Sequence, residues 1–345
     1  MQHLTQFWQQ ETIDHKPANQ EPKTIGSSFY RGETCNFNPY IADLNRLDFL
    51  KQFILKGWLP PSRFIDRSTQ ITAFGSCFAG HITNHLQSIG FSLSRERNPG
   101  IYISAIGEGL VNVHTLAQQF EWALENRSPP EGLWHGFRCE EFGYDEAIRL
   151  RTREAFLTTE LFILTFGLSE IWFDEPTGGV FWRAVPMEKY DASRHKFRVC
   201  SYAETKQQIE RIHELIRKHV PNARILFTLS PIPLIATFRP IGALTASSAL
   251  KSIIRAALDE FIRDHADELN DRLFYFPSYE IMNELFPSRY VPDGTHPHVF
   301  IIDFIMKLFE SVYCDTETTF EEVAELCRKA RAESARIAVE QTVTV

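Results

Sequence analysis

The stretch FGSCFAGH at positions 74–81 sets two nucleophile-capable side chains, Ser76 and Cys77, back to back after an apolar run. A glycine between a strand and a helix permits a turn that exposes the following side chain. The first turn of the helix offers free backbone N–H groups and the positive end of the dipole. A thiol placed there has its pKa lowered and becomes a usable nucleophile near neutral pH. The same N–H groups can hold the oxyanion of a tetrahedral intermediate. Small residues at such a junction also serve packing alone, and the residues by themselves leave both readings open.

A second constellation is DGTHPH at 293–298. Asp293 stands three residues before His296, so it can fold back within one turn and accept from one imidazole nitrogen. The other nitrogen is then free as a base. Asp-Gly and His-Pro are also ordinary surface-turn dipeptides. His296 and His298 invite a metal reading, but no third ligand stands at a suitable spacing, and no metal is expected.

Weaker candidates surround these. His81 lies at i+4 from Cys77 and shares its helix face, suiting either a contact with the thiol or packing. Trp172, Phe181 and Trp182 suit an aromatic wall of a pocket or a local mini-core. Lys251 and Arg255, also at i, i+4, suit an anionic group or a solvated surface. Arg328, Lys329, Arg331 and Arg336 alternate with acids and read as a solvated helix face.

The elements that must position these residues follow from periodicity. Apolar helical spacing predicts helices over 43–58, 80–90, 109–126, 202–219, 247–269, 299–312 and 320–340. Short apolar runs predict strands at 71–74, 91–94, 161–166, 224–229 and 273–276. Alternating β and α with apolar central strands argues for a parallel sheet covered on both faces. In such sheets ligands bind at the carboxyl ends of the strands. Gly75–Cys77, Gly167–Glu170, Ser230-Pro231 and Asp293–His298 all stand at such ends. Residues 171–200 break the rhythm and read as a hairpin insertion or lid rather than a separate domain. Residues 1–69 read as an N-terminal arm and helix packing on the body, and 313–345 as a C-terminal helical extension.

With 345 residues and a formal net charge of −8, the chain disfavours a nucleic-acid surface, which needs clustered Lys and Arg. No apolar run reaches the length of a membrane span, and the N-terminus lacks a signal-peptide pattern, so a cytoplasmic protein is expected. The six cysteines (35, 77, 139, 200, 314 and 327) are scattered without a CxxC pair, which argues against a zinc knuckle or a disulfide framework. Most read as small buried hydrophobes.

The stretch GSCFA at 75–79, with NPGIYISA at 98–105, TFGLSEIW at 165–172, LFTLSPIPLIAT at 226–237, KSIIRAA at 251–257 and YFPSYEI at 275–281, resembles the GSCFA family, a branch of the SGNH hydrolase superfamily. The resemblance runs from about residue 70 to about residue 310. It implies a three-layer α/β/α sandwich with a mainly parallel, flavodoxin-like sheet, and a domain over 70–312. Laid on the superfamily's Gly-Asp-Ser block, Ser76 takes the aspartate position and Cys77 that of the nucleophile. Gly167-Leu168-Ser169-Glu170 falls on the Gly-x-Asn-Asp block, putting Ser169 in place of the oxyanion asparagine. Asp293 and His296 match the Asp-x-x-His block, and Gly100 or Gly107 the lone glycine. Glu170 more naturally shapes the strand-end loop than performs acid–base work.

The expected function is therefore an SGNH-like hydrolase or acyltransferase acting on an ester, including an O-acetyl ester, of a small or carbohydrate-linked substrate. No cofactor is expected, though acyl-CoA would serve as a donor substrate. The departures at 76 and 169 motivate a second reading: a module that kept the fold as a binding or regulatory element and lost the reaction. Oligomeric state is left open by the sequence.

Overall fold

The computed structural model describes residues 36–106, 109–136 and 138–343, and the chain divides into two compact units, Met1–Phe49 and Leu50–Val345. In the first unit a 3₁₀ turn covers Ile41–Asn45, with Arg46 paired to Asp48 at 2.8 Å. Residues 1–35 of the expected arm, including Cys35, lie outside the described residues.

The second unit carries strands β1 (Ile71–Gly75), β2 (Leu161–Phe166), β3 (Glu170–Asp174), β4 (His195–Val199), β5 (Arg224–Leu229) and β6 (Leu273–Phe276). Its longer helices are α1 (Cys77–Ser88), α2 (Val113–Glu125), α3 (Glu146–Leu157), α4 (Tyr202–His219), α5 (Ala243–Asp264), α6 (Ser278–Leu285), α7 (Val299–Tyr313) and α8 (Phe320–Val343).

The central sheet runs β1-β2-β5-β6, all parallel. The LFILTF run of β2 is buried along its whole length, as a strand covered on both faces requires. Its side chains alternate. Phe162, Leu164 and Phe166 join the core formed with α2, α4 and α5. On the opposite face α1, α6 and α7 pack, where Phe276 meets Phe309 edge-on at 5.3 Å. Each such buried ring or leucine stabilises the fold by about 2 kcal/mol. The result is the expected three-layer α/β/α sandwich.

Several elements differ from the sequence expectation. The helix read over 43–58 is two short pieces, the 3₁₀ turn and a π-type turn at Leu50–Ile54. Asp43 takes the Tyr40 N–H instead of extending a helix. The strand read at 91–94 shrinks to one parallel bridge, Ile71 to Leu93, because Glu96 reaches back to the Leu93 N–H and starts a helical turn at Ser94. The helix read from Gly109 begins at Val113, capped by Asn112. Helices α3 and α6 went unread. The insertion is a hairpin as expected, β3 and β4 pairing antiparallel from Glu170↔Val199 to Asp174↔His195.

Candidate active site

The site begins at a backbone constraint. Gly75, the last residue of β1, adopts φ +136°, a left-handed conformation that costs other residues dearly. A Cβ there would sit 2.2 Å from the Thr165 carbonyl of β2. The chain then turns sharply. The Ser76 N–H donates to Thr165 O at 3.1 Å, and the Ser76 hydroxyl accepts from the Phe78 N–H at 3.3 Å, capping α1. Ser76 is buried, and its oxygen serves as the cap of α1. Cys77 is the first residue of α1 and only half-buried.

Cys77 opens into a cavity of about 330 Å³. Ser76, Asn112, Gly167, Glu170 and Ser230 line its polar side, while Trp172, Phe197, the 232–236 segment and Phe238 form an apolar wall. The other described thiols contrast with it. Burial pushes Cys200 and Cys327 up to about 12 and raises Cys314 as well. Cys139 is exposed and does not line the cavity.

The end of β2 closes the other side. The N–H groups of Gly167 and Leu168 both donate to Val111 O at 2.9 Å, and a Cβ on Gly167 would lie 3.2 Å from the Ser76 Cβ. Behind it Lys251 of α5 is 2% exposed. Its Nζ donates to Gly167 O at 2.9 Å and to Ser230 O at 2.7 Å. Burial pushes Lys251 down to about 7, with Cys77 acting in the opposite sense. This corrects the reading of Lys251 and Arg255 as a shared anion clamp or a solvated pair. Arg255 instead pairs with Glu280 at 2.5 Å and lies over Tyr275.

The remaining predicted residues separate. Glu170 is buried beneath the loop after β5 and accepts the Thr237 hydroxyl at 2.9 and 3.0 Å. Burial raises its carboxyl, opposed by Thr237. Ser169 is fully buried; its carbonyl accepts from Cys200 N–H at 2.7 Å. Its hydroxyl has no partner among the described residues, and it is not among the residues lining the cavity. Gly100 is exposed, with its carbonyl held by Arg151. Gly107 lies outside the described residues. His81 is half-buried, edge-on to Phe78. Of the three aromatics singled out in the insertion, Trp172 reaches the cavity, whereas Phe181 and Trp182 are fully buried, Trp182 stacking on Trp134 at 4.4 Å.

Asp293 and His296 form a closed turn. His296 Nδ1 lies 2.6 Å from Asp293 Oδ2, and the N–H groups of Thr295 and His296 donate to Oδ1 at 2.8 and 2.9 Å. These bonds hold Asp293 well below the usual carboxylate range. The pair is exposed and is not among the residues lining the cavity. The turn belongs to a hairpin in which Tyr290 pairs with Pro297. The Tyr290 hydroxyl donates to Pro231 O at 2.9 Å, between the cavity residues Ser230 and Ile232.

The model of the GSCFA family matches residues 70–309. The chain belongs to the GSCFA family. No curated protein matches it. Among solved structures the GSCFA chain is similar to one described as a GDSL-like lipase from Parabacteroides merdae, at 9% identity over 77% of this chain and 100% of that one, TM-score 0.37. It is similar to the salicylyl-acyltransferase SsfX3 of a tetracycline biosynthetic pathway, at 11% identity over 81% of this chain and 56% of that one, TM-score 0.34. A family two carbohydrate esterase from Clostridium thermocellum, in complex with cellohexaose, shares 8% identity over 78% of this chain and 66% of that one, TM-score 0.35.

Asn112, Arg183, Phe197 and Phe238 of this GSCFA chain line the cavity and escaped sequence reasoning. Asn112 is buried; its Oδ1 caps α2 through Thr115 N–H at 3.0 Å. Its Nδ2 reaches Trp182 O only at 3.5 Å. Its signal was an Asn directly before an apolar helical run, the pattern of an N-cap. Among the described residues, two groups outside the cavity bring metal-ligating atoms together: Glu210, His213 and His265, and His114, Cys200 and Glu204. In the second, Arg198 already holds Glu204 through two bonds of 2.6 Å. Among the described residues no helix is long and apolar enough to cross a membrane.

Proposed function

We propose that this GSCFA chain is an SGNH-like ester-processing enzyme, a hydrolase or acyltransferase, with Cys77 as nucleophile. One observation carries the reading: among the described residues, Cys77 is the half-buried thiol that opens into the cavity, and it stands at the N-terminus of α1, where the positive end of the helix dipole favours a thiolate. Ser76, whose hydroxyl caps α1 by accepting from the Phe78 N–H, is assigned to supporting the turn.

The thiolate attacks the acyl carbonyl. The oxyanion that forms is held by the Cys77 N–H, with the Asn112 amide beside it. Ser169, buried behind the strand end, supports that end. The imidazolium of His296, oriented by Asp293, protonates the departing alkoxide as the C–O bond breaks and the thioester remains. The neutral ring then takes the proton of an incoming water or acceptor hydroxyl, which carries off the acyl group. The apolar wall receives the acyl chain, and the open side the alcohol, a small or carbohydrate-linked group. Acyl-CoA is a candidate donor for the transfer variant.

Incubation with activated acyl esters, acetylated sugars and acyl-CoAs, followed by intact-protein mass spectrometry, tests this. A single acyl adduct that disappears in Cys77→Ala is expected. Absence of both adduct and turnover would return the chain to the reading of a binding module that has lost the reaction.

A further inference from the structure

We propose that Lys251 is the base that takes the Cys77 proton and the cation that then holds the thiolate. The inference rests on the reading of Cys77 as nucleophile and adds to it where the proton goes.

The geometry starts from an unusual burial. A lysine ammonium removed from water costs several kcal/mol unless a charge balances it. Among the described residues Lys251 makes no ion pair with a carboxylate, and its two bonds go to neutral carbonyls, Gly167 O and Ser230 O. Both carbonyls belong to residues lining the Cys77 cavity. Gly167 is itself pressed against Ser76, with 3.2 Å between the Ser76 Cβ and a Cβ built on the glycine. A neutral amine has two hydrogens and one lone pair. With both hydrogens spent on the strand-end carbonyls, the lone pair is all that remains.

A lone pair there accepts the S–H proton of Cys77. The S–H bond breaks and an N–H bond forms, with no change in total charge. The product is a thiolate beside an ammonium whose third hydrogen is newly available to it. Cys77 is the one group that favours the charged lysine against its burial, as such a pair requires. The thiolate–ammonium pair re-forms when the thioester breaks, and His296 handles the leaving and entering hydroxyls. Strand-end carbonyls fix the amine in place, which a flexible surface lysine would not achieve.

The test reads the thiol without any acyl substrate. The rate of Cys77 alkylation by iodoacetamide is followed against pH by peptide mass spectrometry. Wild type is expected to inflect below the ordinary thiol value of about 8.5. In Lys251→Met the inflection moves up and the rate at pH 7 falls about tenfold or more, whereas in His296→Ala the curve stays in place while acyl turnover falls. An unchanged curve in a folded Lys251→Met protein overturns the proposal, as does a shifted curve in His296→Ala. If Lys251→Met does not fold, the ¹³Cε resonance of Lys251 is titrated in wild type and Cys77→Ala. The lysine then titrates lower once the thiolate is gone, and identical titrations overturn the pairing. A normal alkylation result without acyl turnover sinks the enzyme reading and leaves the pair standing.

Discussion

Nδ1 of His296 lies 2.6 Å from one carboxylate oxygen of Asp293, while the His296 backbone N–H donates to the other oxygen at 2.9 Å. The ring is thus oriented by the same group that closes its turn. The folded-state pKa of Asp293 is depressed, chiefly by the backbone N–H groups of His296 and Thr295. Its contribution to the turn is present above the unfolded carboxylate value and is lost as pH falls through the folded one. Protection of the 295 and 296 amides, measured against their intrinsic exchange rates, should hold at pH 5 and be lost only in strong acid. Asp293→Asn keeps an acceptor for the amides but cannot stabilise an imidazolium. Its acyl turnover should fall on the order of 10²-fold with little change in melting temperature. Turnover at the wild-type rate would remove the pair from the mechanism.

The Gly75 turn makes a stability prediction. A methyl group there meets the backbone oxygen and carbon of Thr165 at 2.2 and 2.9 Å, and φ +136° is hostile to any side chain. Backbone in the sheet centre cannot swing aside. Gly75→Ala should lose about 3 kcal/mol or more of stability in chemical denaturation. A loss under about 0.5 kcal/mol would mean that the turn relaxes.

The sequence made β2, β5 and β6 legible because a strand buried on both faces is written as an unbroken apolar run, as in LFILTF. It made Cys77 legible through the Gly75 turn and the helix that follows. What it hid depends on packing between distant segments. Lys251 sits at i, i+4 from Arg255, a pattern shared by solvated helices. Only the approach of α5 to the carbonyls of Gly167 and Ser230 shows that the lysine faces inward. Asn112 disappeared inside a helical period because caps lie at its edge. Helix α3 was missed because EAIRLRTREAFL buries a weakly apolar face that includes Arg149 and Thr152. Phe181 and Trp182 could not be told from pocket walls, since a mini-core and a binding wall use the same residue types.

Ser76 and Cys77, equal candidates by chemistry, are separated by their bonds. The Ser76 hydroxyl is occupied by the Phe78 N–H. Ser76→Ala should therefore lower stability by about 1 kcal/mol and still form the acyl adduct. Cys77→Ala should fold normally and form none. The opposite pattern, an adduct in Cys77→Ala that vanishes in Ser76→Ala, would move the nucleophile to the serine.

Glu170 holds a buried carboxylate against the Thr237 hydroxyl. Burial raises its folded pKa, so its contribution is full below the unfolded value and fades as pH rises through the folded one. Glu170→Gln keeps an acceptor and removes the penalised charge. It should melt higher than wild type at pH 8 and show a smaller difference at pH 4.5. Thr237→Val, which leaves the carboxylate unpaired, should cost about 1–3 kcal/mol at pH 8. A lower melting temperature for Glu170→Gln at pH 8 would show that the charge itself is required.

If the chain processes esters as proposed, the apolar wall should set the acyl preference. Phe238 stands edge-on to Trp172 at 4.8 Å and near Phe197 at 5.4 Å, yet is 63% exposed. Its ring therefore narrows the cavity without being part of the core, and removing it should not unfold the protein. A cavity of about 330 Å³ exceeds the need of an acetyl group and suits a short chain laid along Trp172. Phe238→Ala removes ring contacts from such a chain, and each methylene that loses its cover weakens binding by about 1 kcal/mol. Across a series of esters from acetyl to octanoyl, kcat/KM of wild type should rise with chain length and then level. In Phe238→Ala the rise should flatten, with acetyl turnover changed less than about threefold. A parallel loss at every chain length would place Phe238 on the alcohol side of the site instead.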